Sequence, residues 1–195
     1  FQAEDGIRDD VESRGLGEVY KRQVYHDEEW GQPLHDDQAL FELLCMETYQ
    51  AGLSWETVLN KRQAFREAFH GYQIQRVAEM TDAELEALMN NPAIIRNRAK
   101  IFATRANAQA FLQVQADYGS FDAYLWSFVG GKTINNDVLN YRQTPAKTAL
   151  SERLAKDLKK RGFKFTGPVA VLSYLQAAGL VNDHENDCEW KSGNK

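Results

Sequence analysis

Three short segments of the chain concentrate the residues that could do chemistry. They are YHDEEWG at 25–31, ETYQAGLSW at 47–55 and NDHENDC at 182–188. From the residues alone, each has two interpretations. Glu47 is either a ligand-binding carboxylate or a solvated acid at a helix end, and the aromatic residues are either pocket wall or core. The spacing His184-x-x-x-Cys188 suits a metal site but also arises by chance.

Helical periodicity dominates from residue 36 onward and predicts an all-α fold. Apolar residues recur at helical spacing over 40–45, and again over 55–69 after an N-cap candidate, Ser54. The capping-box pattern Thr81-Asp82-Ala83-Glu84 predicts a helix over 82–90, which Asn91-Pro92 ends. The remaining pattern predicts a longer helix after Arg96 and further helices over 121–128, 148–160 and from Pro168 to near Gly179.

The first 23 residues differ from the rest of the chain. They are polar, rich in glycine and charge, and without helical or strand periodicity. We interpret residues 1–23 as a non-native or disordered segment, residues 24–190 as the folded domain and residues 191–195 as a C-terminal tail.

Charge and composition restrict the class of protein. The chain has 195 residues, with 23 basic and 28 acidic side chains, and no apolar run approaches a membrane span. Its two cysteines cannot build a disulfide framework, so we expect a reducing, cytoplasmic setting and no membrane partner. Basic residues cluster within 92–105 and 141–165, which are either solvated helix faces or contacts for a polyanion.

The order and spacing of several segments resemble the bacterial 3-methyladenine DNA glycosylase I family. The resemblance covers roughly residues 24–188 and rests on YHDEEWG, FELLCMETYQAGLSW, AIIRNRAKI, WSFV, LKKRGFKFTGP and QAAGLVNDH. It implies a helix-hairpin-helix glycosylase fold that hydrolyses the N-glycosidic bond of 3-methyladenine during base excision repair. The implied partner is alkylated double-stranded DNA, and we expect a monomer.

The resemblance also implies where the damaged base binds. Tyr25, Trp55 and Glu47 match the family's base-pocket positions, and Tyr49 is a further candidate for the pocket wall. We expect the flipped base to be gripped between the aromatic rings beside Glu47, the one catalytic residue predicted. We identify no general base, and residues 96–116 contain no acidic residue.

Two basic groups are predicted to contact the DNA backbone. The resemblance places a helix-hairpin-helix at residues 82–90, 91–95 and the helix after Arg96, with Arg96 and Arg98 beside it. Ala93 stands where the family has a hairpin glycine. The second group consists of Lys159, Lys160, Arg161 and Lys164.

A structural Zn²⁺ that joins the two ends of the chain is the implied cofactor. His26, His184 and Cys188 match three of the family's four ligands. The fourth, a cysteine upstream of His26, is missing from this chain, and Ser13 stands at the expected separation.

Two rival functions remain open at this point. One is a DNA-binding module without catalysis, or an enzyme inactivated by truncation. The other is a zinc hydrolase that uses the open position of a three-ligand site. Neither explains Glu47 and Trp55 together.

Overall fold

The computed structural model of the protein describes residues 16–188 and 191, and these residues are mostly helical. Two 3₁₀ turns, His70–Tyr72 and Tyr141–Gln143, and a parallel pair of two-residue strands, β1 (Ile134–Asn135) and β2 (Val181–Asn182), accompany the helices. The described helices are α1 (Leu16–Glu28), α2 (Asp37–Tyr49), α3 (Trp55–Asn60), α4 (Arg62–Ala68), α5 (Ile74–Ala78), α6 (Asp82–Leu88), α7 (Arg98–Tyr118), α8 (Phe121–Ser127), α9 (Ala149–Lys160) and α10 (Pro168–Ala177).

Helix α2 is the centre of the core. It packs against α7, α8 and α10, and its residues from Leu40 to Tyr49 are buried except Glu42. A helix that is apolar on nearly all faces must be covered on all of them. Aromatic contacts supply much of the cover: the ring centroid of Phe41 lies 5.3 Å from that of Phe111, which stacks on Phe121 at 4.0 Å.

Helix ends follow the signals in the sequence. Ser54 caps α3 by accepting a hydrogen bond from the Thr57 N–H, and Thr81 and Glu84 form the predicted capping box of α6. Pro168 occupies the first turn of α10, where its missing N–H leaves no helical hydrogen bond unmade. The predicted all-α character is confirmed.

Three features of the structure differ from the prediction. The helical pattern over 55–69 is split into α3 and α4 at Lys61, whose N–H donates to the Val58 carbonyl three residues back. Helix α1 runs over Leu16–Glu28, so residues 16–23 of the segment interpreted as non-native or disordered are helical. The strands β1 and β2 were not predicted, because two residues are too few for a period-2 pattern.

None of the helices in the described part of the chain is long and apolar enough to span a bilayer.

Candidate active site and metal site

A cleft of about 860 Å³ opens between the turn after α2 and the start of α10. One wall is formed by residues 50–53 and the other by Phe165, residues 167–170 and Ser173. Its volume lies in the range of pockets that hold small organic ligands. Among the described residues that line it, Glu47 is the only one with an ionisable side chain.

Glu47 lies in the last turn of α2 and is buried, with 2% of its surface exposed. Neither carboxylate oxygen has a hydrogen-bond partner among the described residues. Burial raises the pKa of Glu47 to about 7, because the ionised form has lost its hydration. A carboxylate in this state is ready to accept a cation or a hydrogen-bond donor that enters the cleft.

Tyr25 and Trp55 form an aromatic pair, of which Tyr25 lies close enough to Glu47 to interact with its charge. Neither is among the described residues that line the Glu47 cleft, and Tyr25 lines a smaller cavity with Glu29 and Arg62. Their ring centroids lie 5.5 Å apart with the planes tilted by 48°, and both side chains are buried. Burial raises the pKa of the Tyr25 hydroxyl well above its ordinary value, and the Glu47 charge raises it further. Because the rings touch each other, no purine fits between them. A base gripped between the two rings would require them to separate, and the placement of the base beside them stays a prediction.

Tyr49 is packed in the core, which is one of the two interpretations that the sequence left open for it. Its ring stacks on Phe65 at a centroid distance of 4.3 Å, and 1% of its surface is exposed. Its hydroxyl is hydrogen-bonded to Thr104 at 3.0 Å and accepts a bond from Tyr72 at 3.2 Å. Because its ring and its hydroxyl both have partners in the core, the Tyr49 side chain does not reach the cleft. Tyr49 affects the cleft only through the main chain of residues 50–53, which follows it.

That backbone is held by Lys100, a residue that the sequence analysis missed. The buried Lys100 ammonium donates to the carbonyls of Tyr49 and Ala51, at 2.7 Å each. These carbonyls belong to the end of α2 and the following turn, which lack helical N–H partners. No sequence signal separates a lysine of this kind from a solvated one, since the partners are main-chain atoms some 50 positions away.

Helices α6 and α7 flank residues 89–97, the segment for which a hairpin is predicted. Ala93 and Arg96 are exposed on it, and Asn97 caps α7 by accepting from the Lys100 N–H. Arg98 is also exposed, but it donates to Glu86 at 2.7 Å and lies over the Phe102 ring at 4.3 Å. Arg96 is therefore exposed to solvent, whereas the Arg98 side chain is bound to Glu86 and Phe102.

The second basic group divides into exposed and engaged members. Lys159, Lys160 and Lys164 are exposed. Arg161 instead donates to Asp157 at 2.7 Å and to the Tyr118 hydroxyl at 2.9 Å, which holds its pKa above the ordinary value. Arg161 thus has partners on α7 and α9 within the protein, and its role as a DNA contact stays a prediction.

The structure brings the three predicted metal ligands together. His26, His184 and Cys188 each offer a ligand atom within 4.8 Å of the others. The Nε2 atoms of both histidines are buried and lack hydrogen-bond partners among the described residues. Burial lowers the pKa of His184 to about 4, with the nearby His26 contributing, so the ring stays neutral. Neutral imidazoles and a cysteine sulfur are suitable zinc ligands. Ser13 lies outside the described residues.

The other ring nitrogen of each histidine is held by a neighbour. Nδ1 of His26 lies 2.9 Å from an Asp27 carboxylate oxygen, and Nδ1 of His184 lies 2.8 Å from the Asn182 side-chain oxygen. Such contacts fix ring orientation in metal sites. Gly31 packs so tightly on His184 that a Cβ there would lie 2.7 Å from the ring. The donor set, its orientation and the close packing all fit a structural metal.

Comparisons with known proteins agree over most of the chain. The methyladenine glycosylase family model matches residues 18–192. The DNA-3-methyladenine glycosylase of Haemophilus influenzae is 48% identical over 168 residues, which are 86% of this chain and 91% of that protein. DNA-3-methyladenine glycosylase 1 of Escherichia coli is 44% identical over 172 residues, 88% of this chain and 92% of that one.

Solved structures show the same relationship. A substituted 3-methyladenine DNA glycosylase I in complex with 3-methyladenine superposes with a TM-score of 0.86 at 43% identity, covering 88% of this chain and 92% of that one. The Staphylococcus aureus enzyme, solved to show the basis of 3-methyladenine recognition, gives 0.85 at 43%, covering 88% and 91%. The chain belongs to the methyladenine glycosylase family.

Proposed function

We propose that this protein is a DNA glycosylase of base excision repair, which releases 3-methyladenine from alkylated DNA by hydrolysis of the N-glycosidic bond. The observation that carries the proposal is the buried Glu47 carboxylate, which has no hydrogen-bond partner within the described part of the chain, in the cleft of a protein of this family. Tyr25, which interacts with the Glu47 charge, and the Trp55 ring in contact with it would supply the apolar surface for the base.

The chemistry of the lesion explains why so few catalytic groups are needed. Methylation of the ring nitrogen gives the purine a positive charge, so the base departs readily as a neutral leaving group. The enzyme's main tasks are to flip the nucleotide out of the duplex and to recognise the charged base.

Glu47 separates the lesion from normal adenine by charge. A cationic base would form an ion pair with the Glu47 carboxylate. The attraction between the two charges is strong because the site is shielded from water. Neutral adenine would leave the ionised carboxylate uncompensated or require it to remain protonated. In this role Glu47 orients the base and balances its charge, and no proton transfer by Glu47 is required.

The DNA backbone is bound by the helix-hairpin-helix around Ala93 and by exposed lysines. Hairpin N–H groups and the Arg96 side chain can meet phosphate oxygens on one side of the cleft. Lys159, Lys160 and Lys164 extend the positive surface beyond α9.

His26, His184 and Cys188 would hold a structural Zn²⁺. The ion would tie the end of α1 to the segment after β2, which stabilises the fold and supplies no step of the reaction. Zinc titrated into the metal-free protein should raise its unfolding temperature, and His184→Ala should remove that increase. An equal increase in the His184→Ala variant would contradict this assignment.

The proposed activity is tested by incubating the protein with methylated duplex DNA and separating the released bases by chromatography. We expect 3-methyladenine in the soluble fraction. Duplex binding with no base released would instead favour a non-catalytic DNA-binding module. Release that is abolished by a chelator yet survives Glu47→Gln would favour a zinc hydrolase.

A further inference from the structure

Phe165 has a backbone conformation that a bulky side chain seldom adopts. Its φ is +57°, in the left-handed region that favours glycine. Its ring is also 42% exposed, although most aromatic side chains of this protein are buried. The ring lines the cleft that contains Glu47. Strain combined with exposure at a cleft is a feature that folding alone does not favour.

The strained segment is fixed by the surrounding structure. Asn107 of α7 is fully buried, and its side-chain oxygen accepts from the Lys164 N–H at 2.7 Å. Its side-chain nitrogen donates to the Lys164 carbonyl at 3.2 Å. Phe163 and Thr166 are buried on either side. These contacts hold Phe165 outward at the cleft.

A second exposed apolar side chain lies on the opposite wall. Leu53, in the turn after α2, is 37% exposed and lines the same cleft. Lys164, adjacent to Phe165 in the chain, is exposed and positively charged. Apolar groups on both walls, with a lysine beside one of them, suit a ligand that has flat apolar faces and a phosphate backbone.

We propose that Phe165 stacks on a DNA base that flanks the flipped nucleotide, and that Asn107 is the positioning residue that presents it. The inference rests on the proposed glycosylase function. Extrusion of a nucleotide exposes the faces of its neighbours in the duplex to water, and an aromatic ring at the mouth of the cleft covers one of them. Phe165 therefore favours the flipped state without touching the lesion.

The first test is Phe165→Ala, compared with Leu139→Ala, which removes another exposed apolar side chain from a different surface. Loss of base stacking should lower kcat/KM on methylated duplex by about 10- to 100-fold. Titration with free 3-methyladenine should show unchanged affinity, because the Glu47 site is intact. Leu139→Ala should match the wild type in both measurements.

Two results would overturn the inference. Unchanged kcat/KM in Phe165→Ala, with a wild type that releases 3-methyladenine, would show that the ring does not contribute. An equal loss of free-base affinity would place Phe165 in the base pocket instead. Failure of the wild type to release the base would count against the proposed function, and the two failures are thereby distinguished.

A second variant separates function from folding. Phe165→Gly removes the ring and relieves the positive-φ strain, so it should unfold at the same or a higher temperature while losing duplex activity. A lower unfolding temperature, or full duplex activity, would contradict the proposal. Asn107→Asp should slow excision from the methylated duplex when Phe165 is present. In the Phe165→Ala background the same substitution should reduce the excision rate by less than a further twofold. If the two substitutions instead reduced the excision rate independently, so that their effects multiplied in the double variant, Asn107 would not act by positioning Phe165.

Discussion

At Glu47, the burial that lowers the stability of the folded protein also prepares the site for a cationic base. An ionised carboxylate without a partner destabilises the free protein, and the same carboxylate is what a cationic base would recognise. The sequence showed the residue type and its position at the end of an apolar helix. It could not show that both oxygens lack partners among residues 16–188, because that depends on which side chains other helices bring near.

Glu47→Gln should weaken base recognition. Loss of the charge, with a similar shape retained, should reduce affinity for free 3-methyladenine by about 10- to 100-fold, the usual effect of losing a hydrogen bond to a charged group. Binding to undamaged duplex should be nearly unchanged, since phosphate contacts lie elsewhere. Isothermal titration measures the first quantity, and equal affinities for the two proteins would contradict the role given to Glu47.

Glu47→Gln should also change how stability depends on pH. The pKa is about 7 in the folded protein and 4.5 in the reference state. Between these values the folded state holds a proton that the unfolded state has lost, so wild-type stability falls as pH rises through this window. The stability of the variant relative to wild type should therefore increase by about 3 kcal/mol from pH 4.5 to above 7. Urea unfolding across this range measures the difference, and a pH-independent difference would contradict the buried carboxylate.

On the scale of elements, the turn after α2 determines the shape of the cleft. The capping signals at Ser54 and Thr81 and the Gly167-Pro168 start of α10 allowed these helices to be predicted from local residues. The clamp by Lys100 was not predictable, because it joins the start of α7 to main-chain carbonyls distant in sequence. Phe165 was missed for a related reason: no periodicity signals a positive φ at a phenylalanine.

Lys100→Met should destabilise this turn. The substitution keeps the aliphatic stem but leaves the Tyr49 and Ala51 carbonyls without their donor, which should reduce the free energy of unfolding by about 2 kcal/mol. Lys156→Met, on the exposed face of α9, is the matched control and should change stability by less than about 0.5 kcal/mol. Chemical denaturation compares the two, and equal stabilities would show that the clamp contributes nothing.

On the scale of the whole molecule, the Glu47 cleft, the basic residues and the group of His26, His184 and Cys188 determine what the protein can bind. The resemblance identified the family and the residues of the metal group, and the structure brings that group together. The sequence could not separate the exposed basic residues from those with partners inside the protein. Only the folded chain shows that Arg161 is bound to Asp157 and Tyr118, whereas its lysine neighbours are exposed.

Replacement of Lys159, Lys160 and Lys164 by alanine should weaken duplex binding at low salt and leave base choice unchanged. If all three meet phosphates, the slope of log affinity against log salt should fall by about 3. Lys132→Ala, another exposed lysine, is the control. Fluorescence anisotropy over a salt series gives the slope, and an unchanged slope would remove this group from the DNA-binding surface.

The most direct measurement of the central claim is a crystal structure of the protein with 3-methyladenine bound. We predict the base in the cleft between residues 50–53 and the start of α10, one face toward the Tyr25–Trp55 pair and a ring-edge donor within hydrogen-bond distance of the Glu47 carboxylate. A base bound outside that cleft, or bound within it with Glu47 turned away, would contradict the account.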